Sequence, residues 1–237
     1  MKKYKLTNET IVHLGFTLYR IEALMDFSDV KTGDKGGFVQ SENNLSQLGN
    51  AWVYGNAKVY GNAKVYDNAE VYCDAEVYNN AEVCGDAKVR GYAEVYCDAK
   101  VYGNAVVCGD AKVRGYASVC GNASVYGNAD VFDYAKVYNN AKVCGNASVF
   151  CDAKVYGKAE VRGDAKVYKN SDYIVFKNWW SSGRYFTWTR SNKMWKVGCF
   201  YGNGEELIKK AYADSEESGR EYERVVKYVE SILADEF

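Results

Sequence analysis

The sequence predicts a mainly β protein built around a parallel β-helix, and three observations support this fold class. A six-residue unit, Ala-x-Val-x-x-x, repeats without a gap from Ala51 to Val167, which makes twenty units. Ala and Val stand two positions apart, so both face one side of a short strand while their neighbours face the other. Pairs such as Gly-Asn, Asn-Asn and Gly-Asp fill most of the last two positions, where a chain can turn a corner. An uninterrupted repeat of this period is typical of parallel β-helices.

The hexads resemble those of the hexapeptide-repeat, left-handed β-helix family. That family's pattern places an aliphatic residue, two variable positions and a small residue at the spacing seen in the run Val59-Tyr60-Gly61-Asn62-Ala63. In the family, three hexads close one triangular coil. The resemblance therefore implies a left-handed triangular solenoid of about 6–7 coils over residues 51–170. The position after Val is usually small in the family, but here it is Tyr, Phe, Cys or Arg.

With three hexads to a coil, residues 18 positions apart stack on neighbouring coils. One outward column then begins Lys58, Glu76, Glu94 and Lys112, so opposite charges often meet between coils. The Asn and Asp residues at the corners stack in the same way. We therefore expect hydrogen-bonded side-chain ladders at the corners and a solvated, charged outer surface.

A second outward column is aromatic almost throughout, and it predicts the face through which copies of the chain associate. Hexapeptide-repeat proteins are commonly trimers, so the resemblance puts a trimer ahead of a dimer. The same column would also stabilise a lone solenoid by stacking between coils, and this alternative stays open. The predicted face consists of Tyr60, Tyr78, Tyr96, Arg114, Phe132, Phe150 and Tyr168.

Residues 1–50 do not follow the hexad, and they predict a β-rich cap. Alternation favours strands at Tyr4–Leu6 and Phe16–Leu24, and turn-forming residues fill the stretch 28–37. A cap is expected because the end of a solenoid exposes an unpaired strand edge and apolar residues. The stretch 18–53, with Gly36-Gly37-Phe38-Val39 inside it, resembles a narrower group of bacterial and prophage-borne hexapeptide-repeat proteins. Those proteins are often labelled acetyltransferases for their fold.

Residues 171–237 predict a small α+β unit. Phe186–Arg190 and Met194–Phe200 alternate like the strands of an antiparallel hairpin. A helix is expected from about Gly204, with Asn203 as its cap and Glu206 at the capping-box position. A second helix, from about 215 to 234, carries an apolar stripe that must pack on the hairpin. The stripe consists of Tyr222, Val225, Val226, Val229, Ile232 and Leu233.

The C-terminal unit also holds four of the five Trp residues, and this predicts a binding surface. Aromatic and Arg side chains are the ones most favoured at binding hot spots. The alternative is that the Trp residues cover the last coil and the helix stripe. The candidate surface consists of Trp179, Trp180, Arg184, Tyr185, Trp188, Arg190, Trp195 and Lys196.

Composition argues against several partners and sites. Lys and Arg number 30 against 31 Asp and Glu, so no charge excess attracts nucleic acid or an anionic membrane. No signal segment and no apolar run of about 20 residues is present, so a cytoplasmic protein is expected. The eight Cys predict no disulfide, because cysteines of one column lie two or three coils apart. No cofactor or metal site is expected either, since the chain has one His, His13, and no C-x-x-C pair.

These patterns favour a non-enzymatic binding or scaffold protein over an enzyme. The resemblance implies that an acyltransferase would place a His near a loop that interrupts the coils, with acyl-CoA along one face. Here the hexads admit no insertion, and His13 precedes them. The expectation is a phage-derived factor that binds a host macromolecule, a protein target included, through the C-terminal unit or a face of the prism. The alternatives are an acyltransferase that uses acetyl-CoA and a structural component of a particle.

Overall fold

The computed structural model describes residues 2–234, which form a parallel β-solenoid of about seven coils with a smaller β unit at each end. This confirms the predicted mainly β solenoid, followed by an antiparallel sheet and two helices. The last three residues of the predicted C-terminal unit, 235–237, lie outside the described residues. No helix between residues 2 and 234 is both long and apolar enough to cross a membrane.

The N-terminal unit is a long hairpin joined to the solenoid. Strand β1 (Tyr4–His13) pairs antiparallel with β2 (Phe16–Ala23), and β2 pairs antiparallel with β3 (Lys35–Val39). A short 3-10 helix, Glu42–Asn44, then leads into the first coil. The buried residues Tyr4, Ile21, Val39 and Trp52 belong to the same apolar core as the coils, so this unit closes the first end of the solenoid.

The solenoid has three faces, each a parallel ladder of short strands. The first face continues the sheet from β3 and contains β5 (Lys58–Val59), β8 (Glu76–Val77), β11 (Glu94–Val95), β14 (Lys112–Val113), β17 (Asp130–Val131), β20 (Ser148–Val149) and β23 (Lys166–Val167). The second face contains β4 (Trp52–Val53), β7 (Glu70–Val71), β10 (Lys88–Val89), β13 (Val106–Val107), β16 (Ser124–Gly127), β19 (Lys142–Gly145) and β22 (Glu160–Val161). The third face contains β6 (Lys64–Val65), β9 (Glu82–Val83), β12 (Lys100–Val101), β15 (Ser118–Val119), β18 (Lys136–Val137) and β21 (Lys154–Val155).

The interior is filled by the repeated Ala and Val side chains, as the pattern predicts. Every Ala and Val of the repeat is buried, with at most 1 % of its surface exposed. Backbone hydrogen bonds join each coil to the next. Lys88 N–H donates to Ala105 O at 2.9 Å, and Arg90 N–H donates to Val107 O at 2.9 Å. Because the strands leave few backbone groups without a partner, two residues per strand are enough to hold each coil.

The corners use left-handed backbone and side-chain ladders. The first corner residue has a positive φ whether it is Gly85 (68°) or Cys97 (61°), although only Gly adopts this region without cost. At the second corner position, Asn62 Nδ2 donates to Asn80 Oδ1 at 3.1 Å, and Asn80 Nδ2 donates to Asp98 Oδ1 at 3.1 Å. These contacts confirm the predicted corner ladders.

The C-terminal unit is a four-stranded antiparallel sheet covered by two helices. Its strands are β24 (Tyr173–Lys177), β25 (Tyr185–Thr189), β26 (Met194–Val197) and β27 (Phe200–Gly202), in that order across the sheet. It follows a 3-10 helix, Asn170–Asp172, and precedes α1 (Gly204–Asp214) and α2 (Glu216–Ala234). The predicted hairpin is its central pair, so the sheet has two more strands than the sequence predicts. The capping box of α1 is present, with Asn203 Oδ1 accepting from Glu206 N–H at 2.9 Å.

One face of this sheet sits on the last coil and meets its free backbone groups. Glu160 N–H donates to Thr187 Oγ1 at 2.9 Å, and Tyr201 OH donates to Arg162 O at 3.1 Å. The other face packs on the helices. Since the sheet supplies hydrogen-bond partners to an otherwise open end, it closes the solenoid there.

All eight cysteines lie within the described residues, and each is free. Cys144 is buried, and the other seven are half-buried or exposed.

Candidate functional site

The predicted Trp and Arg surface does not exist as one exposed patch. Trp188 and Trp195 are 3 % and 2 % exposed, and they lie between the sheet and the helices with Leu207 and Val226. Lys196 is also buried, with its Nζ bonded to Gly198 O and 3.6 Å from Glu160 Oε2. The two Trp side chains are buried because α1 and α2 cover the face of the sheet that carries them, so the alternative interpretation holds for both. Lys196 lies on the opposite face, against the last coil.

The remaining residues of that predicted surface are more accessible. Trp179 is 81 % exposed and Arg184 is exposed, whereas Tyr185 and Arg190 are half-buried. Trp180 is half-buried against Phe186, with ring centroids 6.0 Å apart. The exposed members therefore flank β24 and β25, and they do not form a face of the sheet.

The predicted aromatic column follows the strands of the first face, and its upper part is covered. Tyr60 is 3 % exposed, because the tip of the β1–β2 hairpin folds over it and brings Phe16 to a centroid distance of 5.5 Å. Lower down, Phe132 and Phe150 stack at 5.1 Å and are half-buried, and Tyr168 is 48 % exposed. Tyr78, Tyr96 and Arg114 are half-buried between these ends. The chain itself occupies the top of the predicted oligomer face.

The hairpin tip is held by the only histidine of the chain. His13 Nε2 lies 3.0 Å from Glu76 Oε2, which also accepts from Tyr60 OH at 2.9 Å, while Lys58 Nζ lies 3.1 Å from Glu76 Oε1. Burial acts to raise the pKa of Glu76, but the hydrogen bonds from Lys58, Tyr60 and His13 outweigh it and hold that pKa below its usual value. Because the ionised Glu76 can only accept, His13 donates from Nε2 in this contact, and the imidazole has a structural role.

Most charges on the strands are compensated between neighbouring coils. An outward Lys pairs with a Glu of a neighbouring coil in Lys58–Glu76, Lys88–Glu70, Lys100–Glu82, Lys112–Glu94 and Lys142–Glu160. On the third face, however, Lys136 lies beside Lys154 in neighbouring strands. Both are exposed, and neither ammonium forms an ion pair with any residue from 2 to 234. Like charges placed side by side are destabilising. Glu76 and Glu94 are also neighbours, but each of them pairs with a lysine, whereas Lys136 and Lys154 have no such partner among the described residues.

Tyrosine rings flank this lysine pair. Tyr138 and Tyr156 follow Lys136 and Lys154 on the same strands, and their rings stack at a centroid distance of 5.4 Å. At the next corner, Lys158 Nζ lies 5.2 Å from the centroid of the Tyr185 ring. We call this set the lysine–tyrosine surface; it consists of Lys136, Lys154, Lys158, Tyr138, Tyr156 and Tyr185.

Among the described residues, the carboxylates that are close to the lysine–tyrosine surface in sequence, Asp133, Asp152 and Glu160, form no ion pair with its lysines. Glu160, on the adjoining second face, pairs with Lys142 at 3.4 Å. Asp152, at the corner before Lys154, is exposed and forms no ion pair with the described residues. The surface therefore has a local excess of positive charge in a chain that is nearly neutral overall.

A groove of about 430 Å³ adjoins the lysine–tyrosine surface where β24 overhangs the last coil. Tyr156, Gly157 and Lys158 form its solenoid side, and Tyr173, Ile174 and Val175 form its sheet side. Tyr173 OH donates to Lys154 O at 2.9 Å, and burial raises the pKa of this phenol to about 12. Tyr173 therefore stays neutral and fixes the floor of the groove.

A second cleft, of about 340 Å³, lies between α1 and the turn from β26 to β27. Its charged lining residues are Arg184, Lys210 and Asp214, which carry both signs. It therefore has less charge preference than the lysine–tyrosine surface, and we regard the latter, with its groove, as the candidate site.

The lysine–tyrosine surface could have been found in the sequence by following one column to its end. The third-face column runs Lys64, Glu82, Lys100, Ser118, Lys136, Lys154, so its last two members are the first adjacent lysines. No protein-family model and no curated protein matches the chain in comparisons with known proteins.

Proposed function

We propose that the protein is a rigid, non-enzymatic binding scaffold whose partner is a protein with an acidic segment, held on the lysine–tyrosine surface. The observation that carries the proposal is the adjacency of Lys136 and Lys154 without a carboxylate between them. A binding surface explains this exception, because an incoming acidic group would supply the missing charge.

The tyrosines support a protein partner. Tyr side chains offer large contact areas with little loss of conformational entropy, and their hydroxyls remain available for hydrogen bonds. Tyr138, Tyr156 and Tyr185 lie beside the three lysines, so apolar and charged contacts alternate over the surface. Acidic segments that also contain apolar residues would use both.

The solenoid supports the scaffold role. Each coil repeats the backbone contacts of the coil before it, so the surface is presented on a stiff rod and little ordering is needed on binding. We also propose that the chain belongs with the hexapeptide-repeat, left-handed β-helix proteins, which the hexads and the three-faced coil support.

The test is the binding of a fluorescein-labelled octaglutamate peptide, followed by fluorescence anisotropy. We expect saturable binding that weakens as salt is raised, because ion pairs at an exposed surface are screened. The double variant Lys136→Ser with Lys154→Ser, which copies Ser118 of the same column, should weaken binding at least about fivefold.

The matched control is Lys142→Ser with Lys166→Ser, which removes the same charge from the other two faces. Equal weakening by both double variants, or no saturable binding to the wild type, would overturn the proposal. Tighter binding of a single-stranded oligothymidylate than of octaglutamate would also overturn it, and would point to nucleic acid as the partner.

A further inference from the structure

The free edge of β24 offers unpaired backbone groups beside the lysine–tyrosine surface. Among residues 2–234, β24 pairs with β25 alone, so its other side is the edge of the sheet. Asn178 N–H donates to Arg184 O at 2.7 Å, and Arg190 N–H donates to Asp172 O at 2.8 Å. In an antiparallel ladder these contacts alternate. Residues 174 and 176 therefore bond to β25, while Tyr173, Val175 and Lys177 direct their N–H and C=O groups away from it.

Two of these three residues, Tyr173 and Val175, line the groove of about 430 Å³. Val175 is half-buried and lines the groove, together with Tyr156 and Lys158 on the opposite side. Within residues 2–234 the backbone groups of Val175 have no hydrogen-bond partner. A row of N–H and C=O groups without protein partners at the edge of a sheet is a template for an added strand.

The two edge strands of the C-terminal sheet differ in length and in how far they are protected from pairing with another strand. At the opposite edge β27 has only three residues and leads directly into α1. β24 has five residues, Tyr-Ile-Val-Phe-Lys, with one charge at its end and no Pro or bulge. Natural proteins usually block exposed edges by such devices, and an edge that lacks them is a template for another strand.

We infer that β24 receives the acidic segment of the protein partner as an added β-strand, so that the sheet becomes five-stranded. This inference rests on the proposed function and names its binding mode. Main-chain hydrogen bonds to Val175 and its neighbours hold the strand, while alternate side chains of the segment meet Lys158 and Lys177 on one side of the groove. Trp179, which is 81 % exposed just beyond β24, extends the contact.

The test uses the acidic peptide Ac-EVEVEVE-NH2 and two N-methylated forms, with methyl groups on either the odd or the even residues. An added strand bonds to β24 through every second N–H only. We therefore expect one methylated form to lose binding at least about fivefold and the other to bind like the parent. Equal effects of the two forms, whether both bind or both fail, would overturn strand addition.

Two variants test the same point on the protein. Val175→Pro removes the outward N–H without breaking a bond to β25, and Val175→Thr retains it, so only the first should weaken binding of the parent peptide. If the peptide binds and depends on Lys136 and Lys154, but Val175→Pro binds it normally, strand addition fails and the proposed function stands.

If the parent peptide does not bind the wild type, both strand addition and the proposed function fail. If Val175→Pro instead converts a wild-type oligomer to a monomer, the edge pairs with a second copy and the inference is wrong.

Discussion

His13 and Glu76 are hydrogen-bonded at 3.0 Å although 63 residues separate them in sequence. The contact ties the tip of the β1–β2 hairpin to the second coil of the first face, where His13 also packs edge-on against Tyr60. The N-terminal hairpin is therefore both a cap for the end of the solenoid and a cover for part of its outer surface.

We predict that His13→Ala loosens this cover. Loss of the hydrogen bond and the ring contact should reduce the local stability of the hairpin tip by about 1–2 kcal/mol. Amide hydrogen exchange should then be faster at residues 10–18 than in the wild type. Thr17→Ala, on the same tip but exposed, is the control and should leave the exchange unchanged; equal exchange in both variants would contradict the role of His13.

The aromatic column still predicts a homo-oligomer, with a trimer ahead of a dimer, through the part that the hairpin leaves open. The wild type should exceed 26.6 kDa in sedimentation, and Phe132→Glu with Phe150→Glu should dissociate it because both charges would be buried at the interface. Tyr116→Glu with Tyr134→Glu, which places two charges on the stacked and exposed tyrosines of another column, is the control. A monomeric wild type at micromolar concentration would defeat the prediction.

Packing inside the coils predicts different costs on the two sides of a strand. Ala105 is completely buried, so Ala105→Leu should overpack the interior and lower the free energy of unfolding by about 1–3 kcal/mol. Lys100 points outward and pairs with Glu82 at 3.5 Å, so Lys100→Leu should lower it by less than about 1 kcal/mol. Urea denaturation measures both, and equal values would refute the assignment of the two sides.

Stability should pass through a maximum between pH 8 and pH 10. Burial raises the pKa of Tyr4, Tyr60 and Tyr78 above their usual value of 10.0, so the unfolded chain loses these protons first and stability falls as the pH rises above 10. Burial lowers the pKa of Lys3 from 10.5 to about 8, which makes stability increase between those two values. Urea midpoints at pH 8, 10 and 11.5 test this, and Tyr78→Phe should reduce the fall; a midpoint that keeps rising to pH 11.5 would contradict it.

Acetyl-CoA should leave the melting temperature unchanged. The one imidazole of the chain is engaged with Glu76 and Tyr60 under the hairpin, so it is not presented to a substrate. Thermal unfolding with and without about 1 mM acetyl-CoA measures the effect. A rise that grows with ligand concentration would favour the acyltransferase alternative instead.

The solenoid could be predicted almost residue by residue because each hexad contacts mainly the hexads 18 residues before and after it. Ala51, Val53 and their repeats have the same neighbours in every coil, so the pattern that predicts one coil predicts all of them. Even the Lys–Glu pairs and the Asn ladders follow from a separation of 18 residues. Nothing in residues 51–167 requires knowledge of a distant part of the chain.

The terminal units were harder to predict because their contacts are not local. Trp188 and Trp195 are core residues only because α1 and α2 return over the sheet, and alternation within β25 does not reveal which side the helices take. Residues 173–177, which form β24, follow closely on the last hexad, so the sequence does not show that they pair with β25. The contact between His13 and Glu76 depends on how far the hairpin folds back, which no local pattern encodes.

Because the hexads are unbroken, the number of whole coils sets the length of the rod, and any incomplete coil sets the rotation of its end about the axis. Each group of three hexads adds one coil and advances the rod by about 4.8 Å without turning its end, whereas a single hexad turns the end by a third of a revolution. A variant that lacks residues 81–98 would thus keep β24 and the hairpin on their present sides and bring them closer by one strand spacing. A variant that lacks only residues 81–86 would move β24 round to a different side of the rod. The number of repeats therefore determines two quantities: the distance between the N-terminal hairpin and the C-terminal sheet, and the angle between them about the axis of the solenoid.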